Sequence, residues 1–537
     1  MTQKTKSIVS GVSILGVAGI VCKVVGVLYR IPLANIVTQD GMGVYSTVYP
    51  TYNLLLTISS AGLPVAISRM MAHYITRSDP ANAKRIFQTA MRALLVFGVI
   101  AAALMFSLSG VLAASHNDPD TRLSFMAIAP SLFFVCVMSA YRGFLQGQRN
   151  MIPTAISQLI EQIGRVFVAL PFALIGMRRS GIAHGVAGAL FGYTLAEGAA
   201  LIYMLVQHRK SAKGLDQVPQ DPKAVPLTVR DIVRRLVVVA IPITLGACIV
   251  PLAGFIDSHM IRPLMENAGI PRDAARILYG AYNGPVITLI NVPTAIAMAM
   301  GTNLVPDIAA GLARGDRSYV VRETGIGLRM AAVVGFPCSV GMSLLAKPLL
   351  YLCYRSAYDA YYLNIAAELL QISALTIVLF TMVQATSGIL QGAGKQHIPM
   401  ITLVIGVAMK IALNYTLVQR ADINIHGAPW ASLLCYTVSM VPNLYYVCKC
   451  TGYRFSLTEV ILLPGACALL MGSVVYAIWT FGFGDPGHLN GFLLVAGILL
   501  CVAVGVVLYG FLILKTGAVQ VENLPAKVQK LVRRFVR

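Results

Sequence analysis

Charge is scarce in this chain, and acid is scarcer than base. Only 12% of the 537 residues are charged and 21 are Asp or Glu, while 57% are hydrophobic. Soluble domains run at roughly 25% charged and 45–50% apolar, so this composition argues against a water-exposed globular enzyme. The ten cysteines are scattered, with no Cys-x-x-Cys pair and only Cys448 and Cys450 close together. That spacing argues against a disulfide framework and against a zinc site. A phosphate-binding loop is missing too. The nearest stretch, GILQGAGKQ around Lys395, has its first glycine one place out and Gln396 where Ser or Thr would hold magnesium. No small-residue cleavage site follows the basic start at Lys4 and Lys6, so the first helix is expected to be retained.

What is present is long apolar runs. Stretches of about 20 residues, enough to cross ~30 Å of hydrocarbon as a helix, recur along almost the whole chain. Membrane-spanning strands are alternating segments of ~10 residues, and these runs are longer and continuously apolar, which argues against a β-barrel. The expected fold is an all-α integral membrane protein of about fourteen transmembrane helices. A net charge of +21 raises nucleic acid as a partner. Its placement points instead to orientation and to anionic lipid: basic residues gather at the N-terminus, in the stretch holding Arg209, Lys210, Lys213, Lys223 and Arg230, and in the tail from Lys527 to Arg537. Both termini are therefore expected to be cytoplasmic, with no nucleic acid bound and the chain monomeric.

The chain also nearly repeats itself. GFLQGQRNMIP, from Gly143, returns as GILQGAGKQHIP, from Gly388; Arg77-Ser78-Asp79 returns as Arg314-Gly315-Asp316. GVAGALFGYTLAEGAALIYMLV, from Gly185, resembles GAPWASLLCYTVSMVPNLYYVC, from Gly427. The expected organisation is an N-lobe of helices 1–6 over residues 1–206, a cytoplasmic linker over 207–231, a C-lobe of helices 7–12 over 232–450, and an extra helix pair with a basic tail over 451–537. An even number of spans per unit makes the repeat parallel, and two such bundles can rock about a central cavity. In the repeated turn, Gln146 with Gly147 and Gln391 with Gly392 form either a gate or a tight helix-to-helix turn.

The paired LQG turns and the opening YRIPLANIVTQDGMGVYSTVYPTYNLLLTISSAGLPVAISRMMAHY resemble the polysaccharide-exporter branch of the multidrug/oligosaccharidyl-lipid/polysaccharide superfamily. The likeness is to the stage V sporulation protein B group and the MurJ-type flippases of Gram-positive bacteria. It implies two lobes that carry an undecaprenyl-diphosphate-linked cell-wall precursor, such as lipid II, from the inner to the outer leaflet. It also implies a groove for the lipid tail at the last two helices.

A charge near the bilayer centre costs about 2.5–3.5 kcal/mol or more, so each is a candidate site. Lys23 and Arg30 lie seven residues apart in helix 1 and share a face; with Arg69 and Arg262 they suit a diphosphate headgroup, although the arginines could equally reach for the interface. Asn283 and Asn291 suit sugar or peptide, or interhelical hydrogen bonds. Arg165, Glu197, Lys410 and Asn414 are candidates for the cavity or for ion coupling, and Glu161 with Arg165, four apart, is expected to pair within its helix. No cofactor is expected. The drive is expected from the membrane potential, with Na+ or H+ as a possible coupling cation. Two rivals stand beside the flippase: a cation-coupled drug antiporter of the same superfamily, which needs an acidic cavity, and a polyprenyl-dependent glycosyltransferase, which needs a carboxylate-rich outer loop.

Overall fold

The computed structural model describes residues 3–215 and 225–517, of which residues 3–17, 20 and 213–215 by their backbone alone. The linker residues 216–224 and the basic tail 518–537 lie outside the described residues. The described chain is helical, with no strand. In order the helices are α1 (Gln3–Ser60), α2 (Leu63–Thr76), α3 (Pro80–Ser107), α4 (Ser109–Ser115), α5 (Thr121–Gly147), α6 (Ile152–Gly164), α7 (Leu170–Ser180), α8 (Ile182–Leu215), α9 (Val229–Asn267) and α10 (Arg272–Ala281). There follow α11 (Ile287–Ala313), α12 (Arg317–Leu344), α13 (Ala346–Tyr354), α14 (Ala360–Ala374), α15 (Thr376–Gly392), α16 (His397–Leu417), α17 (Gly427–Thr451), α18 (Leu463–Gly482) and α19 (Gly491–Lys515). Short π-helical turns join α6 to α7 at Arg165–Ala169 and α10 to α11 at Tyr282–Val286.

Among the described residues, twelve helical segments are long and apolar enough to cross a membrane, not the fourteen expected. The first two expected spans run together as one stretch, Val21–Thr76, and α17 is not among the twelve. That first stretch is interrupted at Thr38, whose φ of 63° and ψ of −177° no helix contains. A β-branched side chain at positive φ is strained, so the surrounding packing must hold the bend. Gly43, five residues on, supplies part of that packing: a Cβ there would stand 2.8 Å from the carbonyl of Arg276.

The chain divides into two compact units. The first comprises residues 1–263 with 271–280, the second residues 264–270 with 281–537. Most of α9 thus packs with the first unit, although the sequence repeat counts it with the second set of helices. The first unit's core gathers Ile67 and Met71 of α2, Phe87 of α3, Met138 and Phe144 of α5 and Met204 of α8. The second gathers Ile308 of α11, Val320 and Leu328 of α12, Met382 and Ile389 of α15 and Val447 of α17.

The repeat is built into the local geometry. Asp79 and Asp316 each cap a 28-residue helix by accepting from the backbone N–H three residues on, Asn82 at 3.1 Å and Tyr319 at 3.0 Å. Each cap follows a left-handed residue, Ser78 or Gly315, and each capped helix is followed by a short one, α4 or α13. The LQG turns match as closely. Asn150 N–H donates to the Leu145 carbonyl at 3.0 Å, and Lys395 N–H to the Leu390 carbonyl at 2.8 Å. The residue before each donor is left-handed, Arg149 at φ 62° and Gly394 at φ 73°, as a Schellman helix end requires. The LQG glycines serve a different need, close helix contact: a Cβ on Gly147 would stand 2.8 Å from Cβ of Met71 in α2, and one on Gly392 2.6 Å from the Val305 carbonyl in α11. Gln146 Nε2 donates to Thr154 Oγ1 at 3.3 Å across the first turn, while Gln391 is exposed.

Candidate functional site

A polar cavity of about 290 Å³ opens in the first unit. Its wall is made by α1 (Gly19, Cys22, Tyr49), α5 (Arg142), α6 (Gln158, Glu161, Gln162), the π-turn (Arg165) and α8 (Glu197). Two ion pairs stand on it. Arg142 Nη2 meets Glu161 Oε1 at 2.5 Å and also donates to Ser157 Oγ at 2.8 Å; Arg165 Nη2 lies 3.6 Å from Glu197 Oε1. The expected Glu161–Arg165 pair within one helix is therefore corrected: each takes its partner from a different helix. An exposed i,i+4 pair contributes only about 0.2–0.5 kcal/mol, whereas unpaired charges buried between helices cost far more, so the cross-helix partners win.

Behind Glu197 lies an aromatic shelf that sequence reading passed over. Tyr52 donates its hydroxyl to Glu197 Oε1 at 2.7 Å, and the hydroxyls of Tyr45 and Tyr193 are 2.9 Å apart. Arg165 sits 4.5 Å over the Tyr193 ring, and Arg30 sits 5.7 Å over Tyr45 and 5.1 Å over Tyr49. Such stacking attracts a guanidinium to the ring face without consuming its hydrogen-bond donors. Tyr45, Tyr49 and Tyr52 fall at i, i+4 and i+7 on one helix face, a spacing that core packing produces as well. Arg142, one residue before the repeated GFLQG stretch, was missed because its neighbours read as a turn.

The other expected residues disperse. Lys23 is exposed on α1, the helix that carries Arg30, and Arg69 is exposed on α2. Arg262 is elsewhere and buried, at 3% exposure. Its Nη1 donates to Asp118 Oδ2 at 3.1 Å and to Thr47 Oγ1 at 3.2 Å, so in this conformation its charge is met by the protein itself. Arg276 completes that cluster, donating to Asp40 at 3.1 Å and Asp120 at 3.2 Å and lying 3.6 Å from Asp118. In the second unit, Asn283 is half-buried in the π-turn, Asn291 is exposed on α11, Lys410 is half-buried on α16 and Asn414 is fully buried there. Among the described residues, no three His, Cys, Asp or Glu side chains are grouped to hold a metal ion.

The Asp118 cluster carries a pH signature. His116 lies between the spans, its ring 4.0 Å from that of His259. Burial first, then His259 and Arg262 beside it, pushes the His116 imidazole down to about 3 from 6.5. Below pH 6.5 the unfolded chain therefore takes up a proton that the folded chain refuses, so stability is level above that pH and falls as pH drops from 6.5 toward 3. Thermal melting in detergent is expected to drop between pH 7.5 and pH 5, and His116→Gln should flatten that drop. An equal drop in the variant would assign it to other groups.

With the geometry in place, comparison with known proteins gives a consistent result. The polysaccharide biosynthesis protein family matches residues 8–311 and the MatE family residues 284–416. The lipid II flippase MurJ of Bacillus subtilis is 26% identical over 89% of this chain and 90% of its own; stage V sporulation protein B of the same organism is 26% identical over 91% and 93%. A solved structure, lipid II flippase MurJ in an inward closed conformation, shares the fold with a TM-score of 0.69 at 14% identity, covering 94% of this chain and 99% of that one. Helices, repeat and matches agree: the chain belongs to the polysaccharide biosynthesis protein family, as a multi-pass membrane transporter of the multidrug/oligosaccharidyl-lipid/polysaccharide superfamily and not an enzyme.

Proposed function

We propose that this transporter moves a polyprenyl-diphosphate-linked saccharide, lipid II-like in chemistry, from the inner to the outer leaflet of the plasma membrane by alternating access. The observation that carries this reading is the polar cavity of the first unit, with Arg142 and Arg165 on its wall, Arg165 over the Tyr193 ring, and Arg30 over Tyr45 and Tyr49 on the same helix as the lining residue Tyr49. A diphosphate headgroup cannot cross hydrocarbon bare, and guanidinium forks match its oxygens two at a time. Lys23 and Arg69 add exposed cations for the headgroup, and Asn283 and Asn291 of the second unit supply donors and acceptors for sugar and peptide. Arg262 joins the cargo only when the Asp118 pair opens. In the LQG turns Gly147 and Gly392 brace their helices by close packing and Gln146 ties its turn to Thr154, with Gln391 at the matching place in the second copy, so each lobe moves as a body.

The two repeat halves act as the lobes, residues 1–206 and 232–450, joined by the linker 207–231, with 451–537 as the tail-side pair and both termini cytoplasmic. The protein works as a monomer. Exporting an anionic headgroup from a negative interior gains about 2.3 kcal/mol per charge per 100 mV, which supplies drive without nucleotide. A coupling cation, Na+ or H+, has candidate partners in Glu197, Lys410 and Asn414.

A cation-coupled drug antiporter is the second reading, favoured by the MatE match and by the buried carboxylate of Glu197. Against it, both cavity carboxylates are answered by arginines, leaving no net negative wall for a cationic drug. Depletion of the protein, followed by quantification of lipid-linked precursors, separates the two. A polyprenyl-diphosphate saccharide should accumulate on the inner leaflet. Unchanged precursor pools together with weakened efflux of cationic dyes would decide for the antiporter.

A further inference from the structure

The carboxylate of Glu197 is only half used by its surroundings. It is 1% exposed, yet both Tyr52 and Arg165 engage Oε1, and Oε2 makes no hydrogen bond within 3.5 Å, the Ser131 hydroxyl being the nearby group that could turn to the carboxylate. Two more buried polar atoms on the same wall are in that condition, Nε of Arg165 and Oε1 of Gln162. Three such atoms around one cavity offer hydrogen-bond partners to a polar guest or to water.

The charges facing Glu197 define what that guest does. Cys22, Tyr49 and Tyr52 come from α1, Arg142 from α5, Glu161 from α6, Arg165 from the π-turn and Tyr193 from α8 itself. Arg142 is committed to Glu161 at 2.5 Å, so Arg165 is the counter-charge of Glu197. The pairing is loose, at 3.6 Å through one nitrogen, and Nε is left over. A π-turn places Arg165 there, a local widening of the helix that recurs at functional sites.

We propose that Arg165 is a counter-ion shared between the cargo and the protein: the diphosphate of the cargo displaces Glu197 from Arg165, and Glu197 then takes up one proton. This rests on the reading of the cargo as a polyprenyl diphosphate. A diphosphate diester carries two fixed negative charges and offers a guanidinium two oxygens, so it outcompetes a singly charged carboxylate held through one contact. Glu197 is then a buried carboxylate without a cation, beside a second anion, and the charged form is disfavoured on both counts. The proton comes from the bulk solution, where the buffer gives it up, enters by way of the cavity and lands on the carboxylate of Glu197. As an acid, Glu197 becomes a donor, with Gln162 Oε1 on the same wall as an acceptor. Release of the cargo reverses the exchange: the proton leaves and the Arg165–Glu197 pair re-forms. Loading and protonation are thus one event, and the empty transporter returns with its cavity neutral.

The test is calorimetric titration of the purified full-length protein in detergent with farnesyl-diphosphate-linked N-acetylglucosamine, whose diester titrates nothing near neutrality. Measurement at pH 8 in buffers of different ionisation enthalpy counts the protons that move on binding. The wild type is expected to take up about one proton per cargo bound. Glu197→Gln should take up none and bind at least about tenfold more tightly, because the internal competitor is gone. Arg165→Gln should bind at least about tenfold more weakly. Binding by the wild type without proton uptake, or uptake that persists in Glu197→Gln, overturns the exchange and leaves the flippase reading standing. Failure of the wild type to bind the probe removes both. Should Glu197→Gln not fold, Glu197→Asp, which keeps the acid, should retain the uptake and Arg165→Gln, which has no pair to break, should lose it; uptake that persists in Arg165→Gln overturns the exchange.

Discussion

Asp118→Ala is expected to lower the stability of the folded protein by about 3–5 kcal/mol, the largest loss foreseen for any single substitution here. Asp118 is 3% exposed and sits between two arginines. Arg262, equally buried, donates to one of its oxygens at 3.1 Å, and Arg276 lies 3.6 Å from the other. Their consequences differ. Arg276 keeps Asp40 and Asp120, whereas Arg262 is left with the Thr47 hydroxyl alone among the contacts described above. The cost is therefore mainly that of a buried guanidinium stripped of its carboxylate. Denaturant unfolding of the protein in detergent measures it, and the double variant Asp118→Ala with Arg262→Met should recover most of the loss, since an apolar pair of similar volume carries no charge to desolvate. A loss below about 1 kcal/mol, in the range of exposed pairs, would mean that water reaches the cluster.

The same cluster shows what could and could not be read from the chain alone. Apolar runs fixed by the thickness of a bilayer announce themselves, and so does a repeat whose turns demand the same backbone, as at Ser78-Asp79 and Gly315-Asp316. The break at Thr38 does not. Nothing local marks a threonine for positive φ; the bend is held by packing, as at Gly43 against Arg276, between residues far apart in sequence. Ion pairing failed for the same reason. Glu161 and Arg165 have the right spacing within a helix, but each finds a partner on another, and spacing carries no knowledge of what a neighbouring helix presents. Arg30 was legible because an intramembrane charge is rare enough to be noticed singly. Its tyrosine shelf was not, because three tyrosines along a helix face read equally well as core.

Arg30→Ala is expected to reduce cargo transport by about 10- to 100-fold, the loss of one charge-assisted contact of about 1.5–3 kcal/mol, while leaving insertion and folding intact. The residue is half-buried and its guanidinium lies over Tyr45 and Tyr49, so stacking orients the plane of the fork without consuming its N–H donors. That geometry makes a specific demand on the replacement. Lysine keeps the charge but neither the plane nor the paired donors, so Arg30→Lys should recover little of the lost rate. Phenylalanine at Tyr45 and Tyr49 keeps the ring faces and should cost less than Arg30→Ala. The measurement is translocation of a fluorescent lipid-linked saccharide in proteoliposomes, with circular dichroism confirming helix content. Full activity in Arg30→Lys would show that only the charge matters and that the shelf is packing. Full activity in Arg30→Ala would remove this wall from the path of the cargo, because a diphosphate headgroup passing over the tyrosine shelf meets the guanidinium stacked on it.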